Sequence, residues 1–366
     1  YSRDRLLEAS EAAGGGRRHW EWCMELAEAA EPHLMSAGRR AWLDLLEPEH
    51  DNLRAALAWS HTEPDGGEAE LRLAAALCFF WVHRGHLREG QERLESALAR
   101  SAGQGHTRAV AKALHGSGRL ASLQGKDTAA RSRLEESVTR WRALGDQRWL
   151  ARSLCYLAVV PGSPRASQRC WLEESAALFR DAGDQWGLAY SLDSLGYALA
   201  EQGEDEMAHR LYTESAALYQ GLGDRWFYAR PLRGLAQVVL RQGDLTAAAA
   251  LFKESLAICR EPDDLRGTGI SLHNRRWSVR CLEGLAGVAV VRGQPERAAR
   301  LFGAAEALHV ALGTPRQNFV NIEYDRHVAA ARAALGEDAF AAAWAEGREM
   351  TLNEAVEHAL AENAGS

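Results

Sequence analysis

A cation or an aromatic returns in steps of roughly 40 residues through the middle of this chain, as Arg72, Lys112, Arg152, Tyr190, Arg230 and Arg280. Guanidinium groups in a row can grip carboxylate or phosphate through paired N–H···O bonds, and a tyrosine among them offers a ring face to sugars or aromatic side chains. Three residues further on lies a second line, Ala75, His115, Cys155, Asp193, Arg233 and Glu283. Seven residues on lies a third, Phe79, Arg119, Val159, Tyr197, Gln237 and Gly287. Polar and aromatic groups thus alternate beside a basic line. The competing explanation is plainer: an arginine-rich chain places Arg on any solvated face, and acids such as Glu201, Asp193 and Glu283 neutralise it. At the level of sequence both stand.

Other chemistries find less support. The thirteen histidines, His273, His309 and His327 among them, show no HExxH or clustered ligand spacing, so surface or capping roles are expected and no metal site. Ser137, Ser175, Ser215 and Ser255 each follow a glutamate, but their regular spacing places them in a packing stripe. No GxSxG, Cys–His pair or carboxylate dyad is present. No catalytic residue, cofactor or enzymatic activity is therefore expected.

Composition narrows the field further. The 366 residues carry a formal charge of −7, and forty of the 43 basic residues are arginines, the lysines being Lys112, Lys126 and Lys253. That balance disfavours a duplex-binding surface, so no direct nucleic-acid contact is expected. The six cysteines form no CxxC pair, which fits a reducing cytoplasm. No apolar run reaches membrane-spanning length and no signal-peptide pattern is read at the start. Its start, YSRDRLLEAS, reads as a cut inside a longer protein.

Helical periodicity punctuated by Gly, Pro and Asp runs almost throughout, so the expected class is all-α. Breaks are read at GGG (14–16), TEPDGG (62–67), VPGSPRAS (160–167) and EPDDLRGTG (261–269). The phrase GDQRWLARSL (145–154) recurs as GDQWGLAYSL (183–192) and GDRWFYARPL (223–232), and the residues after each copy repeat as well. Six copies of a two-helix unit emerge. Leu114, Leu154, Leu192, Leu232 and Leu282 lead the inner stripe of the first helix, and small residues such as Gly118, Ala158 and Gly196 come after them. Turn glycines are next: Gly85, Gly125, Gly203, Gly243 and Gly293. In the second helix Ala130, Ala208, Ala248 and Ala298 precede bulky Leu134, Tyr212, Phe252 and Phe302 by four residues, an i, i+4, i+7 face. The Gly–Asp of the phrase fits a left-handed helix stop and then an N-cap. Trp149, Trp186 and Trp226 fill the gap between units.

This order of Leu, small, turn, Ala, aromatic and small resembles the tetratricopeptide repeat, here lengthened beyond its usual 34 residues. The resemblance implies a right-handed superhelical solenoid of about six hairpins over residues 67–315. A helical linker region (1–66) would precede it and a C-terminal helical cap (316–366) would close it. The flanks RHWEWCMELAEAAEPHL, WLDLLEPEHDNLRAALAWS and RAARLFGAAEALHVALG resemble the sensor arm of bacterial signal-transduction (STAND) ATPases of the AfsR, LuxR and maltose-activator kind. Those are transcriptional regulators in which a repeat array restrains or releases a nucleotide switch. The chain itself has no GxxxxGK[ST] phosphate loop, so it would be the arm and not the ATPase.

In that family the second, fifth and ninth positions of each first helix face the concave groove. The resemblance thus implies a ligand or partner groove lined by Arg72, Lys112, His115, Arg119, Arg152, Tyr190, Asp193, Tyr197, Arg230, Arg233, Gln237, Arg280 and Glu283. A small effector or a peptide or protein partner would bind there. The implied N-terminal ATPase domain is a further partner. The alternative is a pure scaffold or autoinhibitory array with no small-molecule ligand.

Overall fold

In a computed structural model of the chain, the structure describes residues 11–62, 66–101, 107–260, 269–312 and 321–361. These fold into nineteen α-helices and one 3-10 turn, with no strand among the described residues. The chain divides into two compact units, residues 1–191 and 192–366.

The first unit opens with α1 (Glu11–Ala30), the 3-10 turn (His33–Met35), α2 (Arg39–Leu46) and α3 (His50–Thr62). It continues through α4 (Gly66–Ala76), α5 (Cys78–Arg84), α6 (Leu87–Arg100), α7 (Arg108–Leu123), α8 (Asp127–Leu144), α9 (Gln147–Ala158) and α10 (Arg165–Asp181) into α11 (Gln185–Ala200). The second unit takes the rest of α11 with α12 (Asp205–Gly221), α13 (Arg225–Arg241), α14 (Leu245–Arg260), α15 (Gly269–Val291) and α16 (Pro295–Ala311). Three further helices complete it: α17 (Asn321–Leu335), α18 (Glu337–Arg348) and α19 (Leu352–Leu360). Hairpins form where the repeat places them, α7 on α8 and α9 on α10 in the first unit, α13 on α14 and α15 on α16 in the second.

The residue types explain the hairpins. All five turn glycines have φ between 71° and 89°, a region that costs other L-residues energy. A Cβ on Gly118 would meet Leu134 Cγ at 2.6 Å, so the small position lets the bulky one seat against the opposite backbone. The serine stripe is packing, as its spacing says. Ser137, Ser175 and Ser255 are fully buried and donate to the carbonyls of Ala111, Ala151 and Ala229 at 2.8–2.9 Å. Ser137 and Ser175 also meet Ser153 and Ser191 of the following first helix at 3.1 and 2.8 Å. One small hydroxyl thereby joins three helices and leaves no orphan.

The recurring phrase is a joint between units of the repeat. Gly145, Gly183 and Gly223 are left-handed, and Asp146, Asp184 and Asp224 accept from the backbone N–H of Trp149, Gly187 and Phe227 at 2.9–3.2 Å. Trp149 and Trp186 are buried and Trp226 half-buried. Their rings stack on Trp141, Tyr190 and Trp277 at 5.6, 5.7 and 6.1 Å. Asp224→Ala is expected to cost about 1 kcal/mol through the lost cap, read as a lower urea midpoint at unchanged m-value.

Two sequence expectations change. The GGG at 14–16 is not a break but lies inside α1; a Cβ on Gly16 would fall 2.3 Å from the Trp59 indole nitrogen, so glycine there lets α1 lie against α3. The first repeat's leading helix divides into α4 and α5 at Leu77, although Leu77 N–H still donates to Leu73 O at 3.1 Å and Trp81 N–H to Leu77 O at 3.0 Å. It is a kink, not a turn. Of the other breaks, 63–65 within TEPDGG and 261–268 within EPDDLRGTG lie outside the described residues. VPGSPRAS does separate α9 from α10.

Candidate functional site

In the first unit the basic line sits on α4, α7 and α9. On α7, Lys112, His115 and Arg119 fall at i, i+3, i+7 and so share one face; on α9, Arg152 and Tyr156 are one turn apart. The rings form the connective tissue between these helices. His115 lies 5.2 Å from Trp149, 5.3 Å from Tyr156 and 6.2 Å from Phe79. Tyr156 meets Tyr190 edge-on at 5.5 Å. Over these faces sit the cations: Arg119 over Tyr156 at 4.5 Å, Lys112 and Arg152 over Trp149 at 5.1 and 5.0 Å, a favourable arrangement for a desolvated guanidinium.

Carboxylates answer only part of this charge. Arg72 donates to Glu28 at 2.7 Å and Lys112 to Glu31 at 2.6 Å, both acids lying at the end of α1 or just after it. Asp184 accepts from Arg148 at 2.6 Å and reaches Arg152 only at 3.5 Å. Arg119 has a ring but no carboxylate among the described residues, and the buried Nε atoms of Arg119 and Arg152 have no hydrogen-bond partner. The positive field is felt locally. Burial first, then Arg152, Arg119 and Lys112, hold His115 down at about 3, and burial raises the pKa of Glu31, weakening it as a counter-ion.

The second unit treats its share of the line differently. Arg230 pairs with buried Asp193 at 2.7 Å and lies 5.1 Å over Trp277, with Arg233 at 6.0 Å on the same ring. Arg280 approaches Glu283 at 4.0 Å, while Glu283 meets His309 at 3.1 Å. Gln237 donates to Glu323 of α17 at 2.6 Å. The acids read from sequence, Asp193 and Glu283, do sit near Arg230 and Arg280 here, whereas Arg233 has the Trp277 ring but no carboxylate among the described residues, and its buried Nε has no hydrogen-bond partner.

The three sequence columns miss Tyr156, Trp149, Trp277 and Asp184, which lie off their lines, and Glu28 and Glu31, which come from outside the repeat. Two thiols of the first unit are far from thiolate, burial pushing Cys78 up to about 12 and Cys23 to about 11.

The comparisons with known proteins agree with the fold. A tetratricopeptide-repeat family model matches residues 188–222 and 232–261. Those two segments carry tetratricopeptide repeats. Proteins named as HTH-type transcriptional regulators in Mycobacterium tuberculosis and Mycobacterium bovis are 35% identical to it over 91 residues. That match covers 25% of this chain and 10% of each regulator's length, so the chain corresponds to a small part of them. Among solved structures, a Rap protein in complex with competence and sporulation factor aligns with a TM-score of 0.55 at 12% identity. The alignment covers 92% of this chain and 86% of that one, a likeness of fold. No helix among the described residues is long and apolar enough to cross a membrane.

Proposed function

We propose that this chain is a regulatory, partner-sensing region of a cytoplasmic transcription regulator, and that its first unit recognises an anionic group carried by an effector or a peptide. One observation carries the reading: Lys112, Arg119 and Arg152 converge around His115 and Tyr156, with a buried, unsatisfied Nε on each arginine and too few carboxylates to match them. A carboxylate or phosphate would supply the missing charge and acceptors, and the His115, Trp149, Tyr156 and Tyr190 rings would take an apolar or aromatic neighbour of that group. The likeness to a Rap protein solved with a bound factor supports the capacity of this fold to hold one. The likeness to HTH-type regulators, together with the flanks RHWEWCMELAEAAEPHL and RAARLFGAAEALHVALG, supports a sensor arm joined to a signal-transduction ATPase, with residues 1–66 as linker, 67–315 as array and 316–366 as cap. Binding would shift the regulator's equilibrium only as far as its two states bind the ligand differently.

The scaffold or autoinhibitory reading is favoured for the second unit, where Asp193, Glu283 and Glu323 already occupy the line. To test the anion site, acidic peptides and phosphorylated metabolites are titrated against tryptophan emission, since Lys112 and Arg152 both lie over the Trp149 ring at 5.1 and 5.0 Å. Arg119→Gln and Arg152→Gln should each weaken binding about tenfold or more, as expected for a lost charge-assisted bond. The exposed Arg88→Gln should change nothing. Equal affinity in all three variants would remove the site.

A further inference from the structure

Three helix ends meet in the first unit at a place the repeat pattern does not use. Glu47 caps the C-terminus of α2, His50 opens α3, and His86 stands at the start of α6 directly after the left-handed Gly85. One ligand atom from each lies within 4.8 Å of the others. His86 Nε2 is 3.9 Å from Glu47 Oε1, and His50 Nε2 is 3.6 Å from Glu89 Oε2 in the first turn of α6. The two imidazoles face each other with centroids 4.3 Å apart, walled by Phe80 at 5.2 and 5.9 Å.

The feature that needs explaining is the pair of nitrogens. His50 is only 8% exposed, and both Nε2 atoms, His50's and His86's, are buried without a hydrogen-bond partner. Two orphaned imidazole nitrogens aimed at one spot are costly unless something binds both. The carboxylates beside them are oriented from behind. Arg54 holds Glu89 through two bonds of 2.6 and 2.7 Å, and Arg84 lies 3.0 Å from Glu47 and 2.7 Å from Asp44. That is how outer groups fix metal-ligating carboxylates.

We propose that Glu47, His50 and His86 bind a zinc-class divalent cation, with the fourth position left to water. Two imidazoles and a carboxylate form a borderline donor set suited to Zn²⁺ or Co²⁺ over Mg²⁺ or Ca²⁺, which favour all-oxygen sites. Bonds of about 2.0–2.1 Å in a tetrahedron place ligand atoms roughly 3.3–3.5 Å apart. The three ligand atoms, now within 4.8 Å of one another, would close by up to about 1.5 Å through side-chain rotation. The cation would tie α2, α3 and α6 together, a staple where the leading helices enter the repeats.

The test uses the full chain stripped with chelator, then titrated with Zn²⁺ and with Co²⁺ alone. One equivalent is expected to bind, with a rise in melting temperature. Co²⁺ should give the visible absorption of a tetrahedral site without thiolate-to-cobalt charge transfer. His50→Ala and His86→Ala should each lower Zn²⁺ affinity by about a hundredfold, the upper range for a disrupted metal shell. The proposal is overturned if the wild-type chain takes up less than one equivalent from equimolar Zn²⁺. It is overturned too if the double variant binds as well as the wild type, or if cobalt reports thiolate ligation. The first and last of these outcomes do not depend on how the variants fold.

Discussion

Adding a single methyl group at Gly303 or at Gly347 should destabilise the second unit by about 3 kcal/mol. A Cβ on Gly303 of α16 would lie 2.2 Å from the Trp344 carbonyl oxygen, and a Cβ on Gly347 of α18 would lie 2.0 Å from the Arg300 carbonyl oxygen. The obstacle in both cases is backbone, which cannot rotate away as a flexible side chain can. Glycine to alanine inside a helix ordinarily gains up to about 1 kcal/mol, so the sign of the result separates propensity from packing. Here α16 and α18 would have to part, and overpacked contacts of that kind cost about 1–3 kcal/mol or more. The crossing is clamped at its edges by Trp344 Nε1 donating to Glu306 at 2.9 Å and Arg300 Nε to Glu346 at 2.6 Å, and both bonds stretch if the helices separate. Because the two glycines serve one crossing, Gly303→Ala with Gly347→Ala should cost less than the sum of the singles. Gly221→Ala, with open space around its Cβ position, is the control and should be neutral or stabilising. Urea midpoints of the full chain at constant m-value decide the matter; a stabilised Gly347→Ala would mean that the backbones are not in contact there.

How legible each feature is in the sequence depends on where its constraint originates. Turn glycines, capping aspartates and the Leu and Ser stripes are legible because pairing two helices dictates residue type at fixed offsets, and six copies repeat the message. Gly303 reads only as one more small residue, since its partner is a carbonyl 41 residues away in a helix outside the repeat. The charge on the basic line is ambiguous for a similar reason. Its counter-ions Glu28 and Glu31 come from α1 and the residue after it, 44 and 81 positions from Arg72 and Lys112, and no alignment of repeats shows what a flank supplies. The GGG run misleads because glycine marks a break by its freedom but serves equally where a neighbouring indole needs room. His50 and His86 escape a motif search because a kinked helix hairpin, and not local spacing, brings them together.

The stability of the first unit should fall steeply as pH drops from about 6.5, well before carboxylates protonate. His83 on α5 is buried, with Nε2 3.0 Å from the Leu34 carbonyl oxygen. Burial, reinforced by Arg39, Arg119 and Arg84, sets its pKa at about 3. His115, with Nδ1 2.9 Å from Ser153 Oγ, is likewise at about 3 through burial and then Arg152, Arg119 and Lys112. Both values are depressed below the unfolded value of about 6.5. Their stabilisation is therefore complete above about pH 6.5 and is lost as pH falls toward about 3, because the unfolded chain takes up protons that the folded one refuses. Within that window each histidine contributes a slope of about 1.4 kcal/mol per pH unit, so the pair gives nearly twice that between about pH 6 and 4.5. Denaturant unfolding at several pH values should show it, and His83→Gln, which keeps a donor for Leu34, should remove about half of the slope. His115 links this measurement to the anion site. A negative group held by Lys112, Arg119 and Arg152 would offset the three cations that depress it, raise its pKa and flatten the curve in proportion to ligand occupancy. In the Arg152→Gln variant the low-pH end of the slope should already lie higher without ligand, and an end point that ignores both changes would place His115 outside the field of those cations.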